Sequence, residues 1–127
     1  MKIVKEIWRP AVGYEKLIKV STLGRVKSIE RVVDFGRQKR LVKSKILKPK
    51  DNGKGYKIVR AGKKYPYIHR LVALTFIPNP NNLPEIDHLN CCKSDNRLCN
   101  LRWVNRKMNM NNPITLSRHK RKKEKAA

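Results

Sequence analysis

Acidic residues are what this chain has least of. Its 127 residues hold 9 Asp and Glu against 32 Lys and Arg, a formal charge of +23. A chain so one-signed repels itself when compact and is stabilised beside a polyanion. Long apolar runs are missing as well: none approaches the roughly 20 residues of a spanning helix. That sets nucleic acid ahead of an anionic membrane surface as the expected partner. The opening MKIVKEIWRP has neither an apolar h-region nor a small-residue cleavage site, so no signal peptide is read and a cytoplasmic setting is expected. Cysteines are few and badly spaced for a metal. Cys91, Cys92 and Cys99 crowd one polar loop without a C-x-x-C pair, which removes the ligands of a structural zinc and leaves reduced loop thiols.

What is present fits one domain, or one domain with a small appendage. Residues 1–50 read as short strands. Lys16–Val20 and Arg25–Ile29 alternate around β-branched residues, and Ser21-Thr22-Leu23-Gly24 supplies a turn in which Gly24 is free to take a positive φ. Asp34-Phe35-Gly36 is a second turn, and a third strand is expected from Arg40 through Leu47. Basic residues fill the polar positions, so one face of this small sheet should be apolar and the other cationic.

A second unit opens at residue 51. Gly55–Arg60 and Tyr65–Ile68 bracket Ala61-Gly62-Lys63-Lys64 as a hairpin, with Pro66 confining its strand to an edge. His69–Phe76 reads as a short helix stopped by Pro78, with Leu71, Leu74 and Phe76 on its buried side. His69, at the strand-to-helix junction, is read as structural. After a Pro-punctuated connector comes the stretch that carries chemistry, from Pro84 to Asn112. It holds Ile86-Asp87-His88, a polar loop, the apolar run Leu101-Arg102-Trp103-Val104, and an Asn-rich segment for which Asn105 is a good N-cap. Asn100 lies twelve positions after His88 and Asn109 twenty-one. From Ser117 onward the chain is a lysine- and arginine-rich run, read as a solvated tail.

The order D-H, then N-L-R-W, then N-x-x-x-N-x-N-N resembles the HNH nucleases of the homing type, in the variant whose last His is Asn. The front resembles the modular domain that precedes many of them, through Trp8, Gly13-Tyr14, Val20-Ser21 and Gly24-Arg25-Val26-Lys27-Ser28. The H-R-L-V-A segment at His69–Ala73 also fits that family. The resemblance implies an α+β chain: a small N-terminal antiparallel β region over 1–50, an HNH core of ββα-metal type over 51–112, and a basic tail over 113–127.

It implies roles too. Hydrolysing a phosphodiester needs a base for the water and a means of stabilising the crowded charge. An imidazole titrates near neutrality, so His88 is the expected base. Asp87 and Asn109 are the expected ligands of a divalent ion, Mg2+ or Mn2+ rather than zinc, because both offer hard oxygen. Asn100 is expected to fix the imidazole; Asn111 and Asn112 lie close enough to compete with Asn109. Double-stranded DNA is the expected partner, bound by a monomer. The expected contacts are Arg25, Lys27, Arg37, Lys39, Arg40, Lys43, Lys45, Lys57, Lys63 and Lys64, with Arg106 and Lys107 at the last helix. Phosphate contacts of this kind position without specifying. Two other readings compete: a basic nucleic-acid binder without catalysis, and an RNA-cleaving relative.

Overall fold

Alternation in the first third of the chain has the effect expected of it. The structure, a computed structural model, describes residues 5–114; the basic run from Ser117 lies outside them. Strands β1 (Trp8–Pro10), β2 (Ile18–Ser21) and β3 (Val26–Ser28) form an antiparallel sheet in that order. Ile18, Val20 and Val26 are buried, while Lys19 and Lys27, cross-strand partners, stand half-buried on the opposite face. The β2–β3 turn places Gly24 at φ +78°.

Strands β4 (Arg31–Asp34) and β5 (Lys39–Val42) make a separate two-stranded ribbon around the Asp34-Phe35-Gly36 turn, where Asp34 Oδ1 accepts the Gly36 N–H at 2.9 Å. The strand expected through Leu47 therefore stops at Val42, and Ile46 makes only an isolated bridge to Lys27. The next pair is β6 (Lys50–Asp51) with β7 (Lys57–Ile58). It replaces most of the hairpin expected around residues 61–64, which shrinks to two isolated bridges, Ile58↔Tyr67 and Ala61↔Lys64. Two local causes act here. Pro66 has no N–H to donate. In addition, Asp51 and Asn52 side chains collect the amides of Gly53, Lys54, Gly55 and Tyr56, tying the earlier turn shut.

Helix α1 (Ile68–Phe76) ends ahead of Pro78 as expected. Its buried face is Ile68, His69, Leu71, Val72 and Ala73, whereas Leu74 is 44 % exposed, against expectation. Ile68, Leu71 and Val72 follow the i, i+3, i+4 stripe that faces a core, and Leu74 falls off it. Ala11, Ile18, Val20 and Val26 of the front pack with Val59, Ala61, Ile68, Leu71, Val72 and Leu101, so one core spans both halves of the chain.

The last unit is strand–loop–strand–helix. β8 (Glu85–His88) pairs antiparallel with β9 (Leu101–Val104), in the register Ile86↔Trp103 and His88↔Leu101. α2 (Arg106–Met110) follows, capped by Asn105, whose Oδ1 accepts the Met108 N–H at 2.8 Å. Trp103 is 9 % exposed beneath this unit and its indole N–H donates to Ile77 O at 3.0 Å, satisfying the polar edge of a buried ring. The architecture is α+β, with antiparallel strands in front and a ββα unit behind. Among the described residues no helix is long and apolar enough to cross a membrane.

Candidate active site

Neighbouring strand residues point to opposite faces, so a regular strand would set Asp87 and His88 apart. The β8–β9 ladder instead runs unbroken to His88 and ends there. The chain turns at once: Cys91 takes φ +59° and its N–H donates to His88 O at 2.8 Å, while the Leu89 N–H donates to Asn100 O at 2.8 Å. The open end of the strand lets both side chains reach one cleft of about 180 Å³. Its other walls are Tyr56, Ile86, Cys91, Lys93 and Asn109.

Each of the three expected chemical groups has one polar atom engaged and another left open. Asp87 is 4 % exposed. Its Oδ2 accepts from Arg102 Nε at 3.0 Å and from Asn112 Nδ2 at 2.9 Å, and Arg102 reaches it again through a second nitrogen at 3.0 Å. His88 is 6 % exposed, with Nε2 3.0 Å from Asn96 Oδ1. Facing that acceptor, Nε2 carries the hydrogen and Nδ1 is the bare nitrogen. Asn109 Nδ2 donates to Glu85 Oε2 at 3.3 Å. Asp87 Oδ1, His88 Nδ1 and Asn109 Oδ1 take no hydrogen bond from the described residues, yet none is a sealed orphan. They are the atoms the cleft offers to a ligand.

Asn100 does not supply the imidazole's partner. Its Oδ1 accepts the Asn90 N–H at 3.0 Å, and its Nδ2 donates to Asn90 Oδ1 and Asp95 O, each at 2.9 Å. It therefore clamps the loop between the strands, and Asn96 in that loop reaches the ring. Nothing in the local pattern singled out Asn96, a buried side chain in a segment that reads as a polar loop. Arg102 and Asn112 were also missed as partners of Asp87. Arg102 stands opposite Asp87 in the ladder, so a cross-strand charge pair becomes readable once the register is known.

His69 is drawn towards the site as well. Its ring packs edge-on against His88 with centroids 5.2 Å apart and lies 5.3 Å from Tyr56. Nδ1 of His69 is buried without a hydrogen-bond partner among the described residues. Burial first, then the electrostatic influence of the neighbouring His88 and Arg70, holds its pKa down at about 4, so it is neutral at physiological pH. At the cleft wall the Lys93 ammonium lies 4.8 Å from the Tyr56 ring centroid and donates to Lys54 O at 3.2 Å.

The cations expected to meet DNA divide into two groups. Arg25 pairs with Glu6, which it holds at a pKa of about 2, and lies over the Trp8 ring. Lys27 sits 4.3 Å above the same ring, and Lys57 is 3.8 Å from Asp51. These three have intramolecular work. Arg37, Lys39, Arg40, Lys43, Lys45, Lys63, Lys64, Arg106 and Lys107 are exposed.

Two family models match the chain. The NUMOD4 motif matches residues 6–61 and the HNH endonuclease family model matches residues 66–111. An uncharacterized HNH endonuclease, L247, of Acanthamoeba polyphaga mimivirus is 40 % identical over 123 residues, 89 % of this chain and 28 % of its own length. DNA endonuclease I-HmuI of Bacillus phage SP01 is 32 % identical over 109 residues, 85 % of this chain and 58 % of its own. A solved structure, described as DNA binding and cleavage by the HNH homing endonuclease I-HmuI, matches with a TM-score of 0.64 at 32 % identity, over 87 % of this chain and 59 % of that one. The chain thus spans less than two thirds of each of these relatives. By its front motif, its core and its shared fold, it belongs to the HNH homing endonuclease family.

Proposed function

We propose that this chain hydrolyses DNA phosphodiester bonds as a divalent-metal-dependent HNH endonuclease. The observation that carries the reading is the convergence of one carboxylate oxygen, one amide oxygen and one bare imidazole nitrogen on a single cleft, each backed by a hydrogen bond on its far side. The donor set fits a hard cation. Asp87 Oδ1 and Asn109 Oδ1 are oxygen ligands, and among the described residues no three His, Cys, Asp or Glu side chains gather into a fuller cage. Water and phosphate oxygen complete such a shell, a habit of Mg2+ and Mn2+. When bound, the ion supplies Lewis acidity and a template for the scissile phosphate.

The protein's own groups do the rest. His88 Nδ1 takes the proton of the attacking water, and the Nε2–H bond to Asn96 keeps that nitrogen bare and aimed. Arg102 and Asn112 engage one oxygen of Asp87 and so present the other. Glu85 turns Asn109 so that its oxygen, rather than its NH2, enters the cleft. Lys93 sets a fixed positive charge against the phosphate. The exposed cations of residues 1–50 grip the duplex backbone, residues 51–112 form the nuclease unit, and the basic residues of 113–127 add an arm. The chain acts as a monomer on double-stranded DNA in the cytoplasm.

Nicking of supercoiled plasmid tests this. The native protein should relax the plasmid with Mg2+ and lose that activity in EDTA. His88→Ala should be slower by about 10²–10⁴-fold, the usual contribution of a positioned base, while binding duplex DNA as before. Equal relaxation by both proteins would remove the base. No cleavage of DNA by the native chain, with cleavage of RNA under the same conditions, would favour the RNA-cleaving alternative.

A further inference from the structure

The β2–β3 turn belongs to the front module, yet it lies against the loop that holds the catalytic imidazole. Gly24, at φ +78°, is packed so closely there that an added Cβ would fall 2.7 Å from both C and O of Asn96 and 3.0 Å from its Cβ. In the same turn, Thr22 O accepts the Leu98 N–H at 2.8 Å. Asn96 is thus seated from outside its own unit, by a contact that only a glycine permits and by a backbone hydrogen bond two residues further on. Asn96 is 5 % exposed, and its Oδ1 is the partner of His88 Nε2 at 3.0 Å. Gly24, Asn96 and His88 make a continuous chain of contacts from the front sheet to the base.

We infer that the turn Ser21–Gly24 is a positioning element of the active site, fixing the Nε2–H tautomer and aim of His88 through Asn96. Two features favour this over plain packing. The turn meets backbone and Cβ atoms of Asn96, which cannot swing away as the end of a flexible side chain can. Its target is also not an apolar neighbour but, among the described residues, the one whose side chain hydrogen-bonds the ring. A steric contact needs no change in charge, so the effect falls on geometry and tautomer. The inference uses the nuclease reading for its kinetic consequence, whereas the tautomer can be measured without it.

The test compares two glycines. Gly13 also has a positive φ, +89°, but nothing lies within 4 Å of where its Cβ would stand. Gly13→Ala therefore imposes similar backbone strain without touching the loop. In the full chain, Gly24→Ala should lower kcat for plasmid nicking by about 10- to 100-fold, the scale set by disturbing a partner that orients a reactive imidazole, with KM little changed. Side-chain 15N NMR should show His88 leaving the pure Nε2–H tautomer. Gly13→Ala should keep both native kcat and native tautomer. If Gly24→Ala fails to fold, Asn96→Leu and Asn96→Asp decide. The leucine variant should lose the tautomer and the aspartate variant should keep it. Native kcat and tautomer in Gly24→Ala, equal losses in both glycine variants, or an unchanged tautomer in Asn96→Leu would each overturn the inference. Should the native protein and His88→Ala nick alike, the nuclease reading fails, and the tautomer arm still settles the role of the turn.

Discussion

Two parts of this molecule share one local design and differ in almost everything else. The β4–β5 ribbon and the β8–β9 pair are both antiparallel, with four-residue strands and four paired positions. In the ribbon Val32, Phe35 and Leu41 are 62 %, 69 % and 53 % exposed, and Arg37, Lys39 and Arg40 project into solvent. In the β8–β9 pair Leu101, Trp103 and Val104 are buried, and so are Asp87 and His88. The cause is what covers each. Helices α1 and α2 both pack on the second pair. Burial makes an unpaired polar group costly, and Asp87 and His88 each meet a partner there while one atom of each stays open. The ribbon, free of that demand, leaves its cations exposed. Under the proposed function, burial serves chemistry at one end and exposure serves grip at the other.

The largest contrast should come from truncating an aromatic in each pair. Trp103→Ala should cost about 3–5 kcal/mol in a urea melt, the range for a large buried side chain. Phe35→Ala should change stability by no more than about 0.5 kcal/mol, as at other exposed sites. Equal losses would mean the ribbon is packed in solution.

Asp87→Ala comes next. It strips Arg102 and Asn112 of their common acceptor, for a loss of about 2 kcal/mol, and plasmid nicking should fall below detection. Replacing Arg37, Lys39 and Arg40 together by Ala should act the opposite way. Stability and kcat stay near native, while the slope of log Kd against log salt drops by about 0.9 for each phosphate no longer neutralised. A kcat defect in the triple variant would tie the ribbon to chemistry.

The smallest effect is on pH. His69 has its pKa lowered to about 4 in the folded chain, from the ordinary 6.5. Between those values the unfolded chain binds the extra proton, so stability is full above about pH 6.5 and falls as pH drops through about 4. Melts across that window should show a decline that His69→Phe removes. Glu6 and Asp95 act lower down, each held near a pKa of 2, chiefly by hydrogen bonds from Arg25 and Arg97. Their contribution is present above about pH 4.5 and is lost as pH falls through about 2.

The same contrast explains what could be read from the chain itself. Elements that alternate or are punctuated were legible: β2, β3, the Gly24 and Gly36 turns, the stop of α1 before Pro78, the Asn105 cap. Asp87, His88 and Asn109 were marked by residue type and spacing, and all three line one cleft. The misses share a cause. Asn96, Arg102 and Asn112 matter through tertiary partners that no local period records. Asn100 turned inward to its own loop, where Asn90 and Asp95 engage both ends of its amide. Strand β4 hid between charges, and the expected hairpin yielded to side chains of Asp51 and Asn52 that captured nearby amides.

The convergence of Asp87, His88 and Asn109 on one hard cation is tested most directly by Mn2+ titration of the 15N-labelled chain, followed by NMR. Signals from the Asn109 side-chain NH2 and from the Asp87 and His88 backbone amides should broaden away first. Broadening that begins at Asp51 or Asp95 while Asn109 stays sharp would contradict the shared site.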